Sequence, residues 1–152
     1  MSAINSFPEN VLMDIALATT DITTAGATST WFPMTNSQKV AFLTQINAID
    51  AAGVFSALKV QQATDASGTG AKDITGAALT SFTNFAAAGA KAILQVDPTK
   101  MDLAGGFNHV AVFVDMSTDT GTNTVTMVCL REPRYHSTEL NTATPSTNVV
   151  SV

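Results

Sequence analysis

Apolar and polar residues alternate with a period of two through most of this chain, the spacing of strands with one buried face. Between Val54 and Gln62, Leu58, Val60 and Gln62 fall on one side, with Lys59 and Gln61 on the other. Asn108–Asp115 and Thr124–Leu130 repeat the pattern, and the Ser/Thr/Asp/Gly stretch Met116–Asn123 between them reads as a long hairpin loop. Val11–Thr20 is a further strand, followed by a Thr/Gly/Ala linker over Asp21–Ser29. Lys91–Asp97 is another, closed by Asp97-Pro98. Trp31-Phe32-Pro33 reads as a short aromatic strand end whose role is core packing.

Two stretches fit the pattern less well. Over Lys39–Asp50, Val40, Phe42, Leu43, Ile46 and Ile49 also suit helical spacing. Recurrent Val, Phe, Thr and Ile, and the turn at Ala51-Ala52-Gly53, favour a strand, which then needs a bulge near Leu43. Ile74–Phe85 is mixed: Gly76 interrupts it, and Leu79, Phe82 and Phe85 are spaced as one short helical face. A single turn is expected within Met101–Gly106. With short strands, Gly-rich connections and no sustained helical period, the chain predicts an all-β, single-domain β-sandwich or jelly roll over residues 13–136. An extended N-terminal arm (residues 1–12) and a polar C-terminal tail (residues 137–152) flank it. The bland alternative for the arm is a frayed terminus.

Composition narrows the function. At 152 residues the chain is long enough to bury a core. Hydrophobic residues make up 45%, whereas charged residues supply only 12%, half the usual share, so Thr, Ser, Asn and Gln must fill the polar positions. A surface so poor in charge suits a protein that works against a partner. The net charge of −5 and the lack of a basic run argue against nucleic-acid binding. Met1–Asn10 lacks the features of a signal peptide, and no run approaches the ~20 apolar residues of a membrane helix. Synthesis in a cytoplasm, without membrane association, is the expectation.

Catalytic constellations are not legible. Cys129 lies within an apolar strand, where an inert buried thiol is expected. His109 and His136, with one cysteine between them, do not make a zinc set. No serine has a Gly-x-Ser-x-Gly context. Asp65-Ala-Ser-Gly-Thr-Gly70 matches neither a P-loop nor GxGxxG and reads as a turn; Asp65 with Asp73, or Asp115 with Asp119, is too sparse for calcium. Neither a cofactor nor an enzymatic activity is expected.

One resemblance remains. Ala57–Leu79, ALKVQQATDASGTGAKDITGAAL, resembles a segment of small structural proteins of tailed-bacteriophage particles, in which a Lys-Val-Gln strand runs through an Asp/Ser/Gly turn into Asp-Ile-Thr-Gly-Ala. Leu130–Tyr135, LREPRY, resembles the strand ending near the close of the same proteins. The resemblance covers about a quarter of the chain. It implies a head decoration (cement) protein on the capsid exterior, bound to the major capsid protein, often as a dimer or trimer, and assembled in the bacterial host cytoplasm. Contacts with capsid or neighbouring subunits are then expected at Ile4, Phe7 and Leu12 in the arm and Leu140 in the tail. Arg131, Arg134 and Tyr135 join them, with a local ion pair as the alternative for the arginines. A tail or head–tail joining protein is the nearest alternative, followed by a carbohydrate-binding module, for which one Trp and one Tyr offer few stacking surfaces.

Overall fold

The computed structural model describes residues 11–133. Its strands are β1 (Leu12–Asp21), β2 (Ala27–Thr28), β3 (Phe32–Pro33), β4 (Ser37–Ala48), β5 (Val54–Ala63), β6 (Lys72–Ala78), β7 (Lys91–Val96), β8 (His109–Thr118) and β9 (Thr124–Pro133). One turn of 3-10 helix, Pro98–Lys100, follows β7, with Asp97 accepting from the Thr99 N–H at its start. The strands form two antiparallel sheets packed face to face. The first has the order β1-β9-β4-β7; in the second, β8-β5-β6 is continued by β2 and β3, which pair in succession along the free edge of β8. This is the expected all-β sandwich.

Alternation in the sequence becomes the core. Val40, Phe42, Thr44 and Ile46 of β4 point inward, opposite Arg131, Cys129, Met127 and Val125 of β9. The facing sheet contributes Leu58 and Val60 from β5 and Val110, Val112, Val114 and Met116 from β8, all at most 1% exposed. Burial at this level contributes about 1.5–3 kcal/mol for each large side chain. Phe32 of β3 meets Phe42 across the sheets with ring centroids 6.0 Å apart. Phe85 closes the opposite end against Phe55 at 5.4 Å.

Several expectations shift. Lys39–Asp50 is a strand, but no bulge lies at Leu43: the register with β9 breaks at Ser37/Lys39 and at Ile46/Ala48. Leu43 is simply on the outer face. The linker after β1 contains β2, and Ser29 beyond it is buried, its hydroxyl accepting from the Val112 N–H at 3.0 Å. β8 runs on through Met116 to Thr118 because Met116 keeps the inward phase of Val112 and Val114, shortening the expected loop to residues 119–123. Leu79, Phe82 and Phe85 do turn toward the core, yet through separate turns rather than a helix. Gly76, at φ +81°, sits where the β5–β6 register slips and absorbs the extra residues. Leu12, assigned to the arm, is the first residue of β1 and pairs with Arg131.

Candidate functional site

The β5–β6 connection is built by its own side chains. Asp65 Oδ1 accepts from the N–H groups of Ser67 (2.8 Å) and Thr69 (3.1 Å), and the Thr64 N–H closes the loop on the Thr69 carbonyl at 3.0 Å. The Thr69 hydroxyl, then these N–H groups, hold the Asp65 carboxyl below its ordinary value. Gly68 is required twice over: its φ is +81°, and a Cβ there would lie 2.7 Å from Trp31 Nε1. Trp31 is therefore half-buried against this turn, and not in the core as the sequence suggested.

A second turn leans on the same loop. Gln62 is buried on the inward face of β5, and its Oε1 accepts from the Asp102 N–H at 2.8 Å. Asp102 in turn accepts from Lys72 Nζ (2.7 Å) and the Gly105 N–H (2.9 Å), which hold its carboxyl below the ordinary value. Lys72 Nζ also sits 4.0 Å from the centre of the Phe107 ring. Leu103, at the tip of this turn, is 54% exposed. The Asn108 N–H bonds the Ala63 carbonyl at 3.0 Å, and Ser37 pairs with Pro133. One end of the sandwich thus gathers the 64–71 loop, the 97–108 segment, Trp31, and the starts of β1 and β4 with the close of β9.

Arg131 lies at this end but turns inward. Its Nη2 bonds Asp14 Oδ2 at 2.6 Å, its guanidinium carbon is 5.3 Å from the Phe32 ring centre, and its Nε is buried without a partner among the described residues. It caps the end of the core through a half-buried ion pair between β1 and β9, not one on a solvated turn. Leu12 is half-buried beside it. Ile4, Phe7, Arg134, Tyr135 and Leu140 lie outside the described residues, as does His136.

The remaining chemistry-bearing groups are held in place by the fold. Cys129 is buried, and burial pushes its thiol up to about 12, so it stays protonated at neutral pH. His109 Nδ1 pairs with the Asn108 side chain. Among the described residues no three His, Cys, Asp or Glu side chains cluster as metal ligands, and no helix is long and apolar enough to cross a membrane.

Two features escaped sequence reasoning. Asn123, fully buried at the far end, ties three loops together: its N–H bonds Asp21 Oδ1 (2.7 Å), its Oδ1 accepts from the Asp50 N–H (2.9 Å), and its Nδ2 reaches Asp119 Oδ1 (3.0 Å). The second is the outer face of the first sheet. Ile15, Val128, Leu43 and Ile93 stand side by side in one row across all four strands. Met13, Leu130 and Ala41 form the next row, ended by Gln95. Met13, Ile15 and Ile93 are 61–63% exposed. Near-continuous apolar runs such as Val40–Leu43 and Val125–Leu130 were the available signal, since strands covered on both faces read that way. Comparison with protein-family models, curated proteins and solved structures finds no match to this chain.

Proposed function

We propose that this protein is a structural component of a tailed-bacteriophage particle, a decoration protein that binds the major capsid protein on the outside of the head. One observation carries the reading. The loop of the first stretch that resembles phage structural proteins (residues 64–71) and the described part of the second (Leu130–Pro133) lie at the same end of the sandwich, although they are far apart in the chain. The link runs from Ala63 through its pairing with His109, then Pro33 opposite His109, to Ser37 opposite Pro133. In the proposal that end faces the capsid. Its carboxylates Asp65 and Asp102 are committed to loop architecture, which suits a rigid contact surface better than a reactive pocket. Leu103 is an exposed apolar side chain there that can enter a partner's surface.

Localisation tests the proposal. Cryo-electron microscopy of purified particles should show hundreds of copies in regular density over the capsid lattice, with the Trp31–Leu103 end inward. Leu103→Asp, and Phe7→Asp in the arm, should lower occupancy on particles while leaving the circular-dichroism spectrum unchanged. A dozen or fewer copies at the vertex or tail would move the assignment to a joining or tail protein. Absence from particles would sink the virion reading.

A further inference from the structure

The outer face of the first sheet has the make-up of an interface: two apolar rows with a polar frame. Thr126, Gln45 and Lys91 border it on one side, in register across β9, β4 and β7. On the other side Glu132 of β9 lies opposite Lys39 of β4, and neither forms a salt bridge with another described residue. The charges are thus of opposite sign, on the two central strands, in one row.

We propose that a second copy of this chain covers this face, related by a two-fold axis that runs parallel to the strands midway between β9 and β4. Such an axis exchanges β9 with β4 and β1 with β7 across the interface. It sets Glu132 over the partner's Lys39 and Lys39 over the partner's Glu132, so both charges are matched twice by one symmetry operation. The same operation sets Ile15 over the partner's Ile93 and Val128 over the partner's Leu43, and it places Leu130 above the smaller Ala41 of the partner. A two-fold axis across the strands would instead move the Glu132–Lys39 row away from its counterpart and leave all four charges unmatched. The sheets then stack in the aligned manner of sandwich layers, about 10 Å apart.

The inference stands on the face alone and needs no capsid. It does have a consequence for one: an axis parallel to the strands keeps strand direction, so both copies present their Trp31–Leu103 ends the same way. Two weak contacts to one lattice then act together.

Sedimentation velocity on the purified full-length chain, across a micromolar concentration series, decides it. The wild type should sediment as a dimer of the 15.8 kDa chain. Ile15→Lys, at an exposed position, should give a folded monomer. Glu132→Lys and Lys39→Glu should each raise the dimer Kd about tenfold or more, because each sets like charges together twice. The double swap, Lys39→Glu with Glu132→Lys, should return it to near the wild-type value. Circular dichroism checks that each variant folds. A monomeric wild type overturns the proposal, whether the face stays bare or other parts of the chain cover it; so does a trimer. A dimer broken by Ile15→Lys but indifferent to the charge swaps overturns the assigned axis.

Discussion

The two sheets of this sandwich differ most on the faces they turn away from each other. On the second sheet the outward side chains include Phe113 and the 50%-exposed Val54, but Lys59, Gln61 and Asp73 among them are polar and bonded to one another. Lys59 Nζ meets Asp73 Oδ2 at 2.7 Å, Gln61 Nε2 meets Asp73 Oδ1 at 2.8 Å, and Lys59 lies 5.3 Å from the Phe113 ring centre. On the first sheet the equivalent positions are Met13, Ile15, Leu43, Ile93, Val128 and Leu130. Both sheets bury an inner face of the same kind, so core formation does not explain the contrast. An antiparallel sheet whose second face met only water would be free to carry Thr, Lys and Gln there, as the second sheet does. The first sheet reads as a layer that expects another layer on top.

The largest effect available is to compare neighbours on one strand. Phe42 and Leu43 are adjacent on β4 but face opposite sides, the first fully buried. Phe42→Ala should lower unfolding free energy by about 3–5 kcal/mol, measured by urea denaturation. Leu43→Ala should cost well under half of that at concentrations where the chain is monomeric, and more where it is dimeric. Equal costs at both concentrations would mean that Leu43 is no part of an interface. At the end of the same sheet, Asp14→Ala strands the Arg131 guanidinium over Phe32 and should cost about 1–3 kcal/mol.

This contrast also accounts for what the sequence disclosed. Leu58, Val60 and Gln62 face inward as their phase predicts, Gln62 by phase alone, because Lys59 and Gln61 hold the alternate positions of β5. An outward leucine breaks the apolar-in, polar-out rule, which is why the sequence predicts a bulge at Leu43; on the first sheet that rule fails along whole rows. The committed polar groups were harder. Asn123 bonds Asp21 and Asp50, and Trp31 lies on Gly68, through approaches that local spacing does not encode. The sequence suggests only a local ion pair on a solvated turn for Arg131; its partner Asp14 on β1 and its inward direction follow from strand order, which no local pattern supplies.

A smaller effect sits within the inner face itself. Thr44 is fully buried between Phe42 and Ile46, and its hydroxyl has no hydrogen-bond partner among the described residues. Thr44→Val keeps the shape and removes that polar atom, so the variant should gain about 1 kcal/mol. A loss in denaturant melts would show that the hydroxyl is bonded in solution.

The smallest effect tests the polar face. Lys59 and Gln61, in that order, hold the Asp73 carboxyl below its ordinary value. A carboxyl depressed by folding adds stability above its unfolded pKa of about 4, and that stability is lost as pH falls through the still lower folded value. Asp73 is half exposed, so solvent screens the pair and its contribution should stay under about 1 kcal/mol. Asp73→Asn should therefore cost a few tenths to 1 kcal/mol at pH 7, less in 0.5 M salt, and nothing near pH 2. A cost that persisted at pH 2 would assign the stabilisation to neutral hydrogen bonds from Gln61. If the polar face contributes so little, its polar residues are there for contact with water. The apolar residues on the other sheet then mark a face where water is not the intended neighbour.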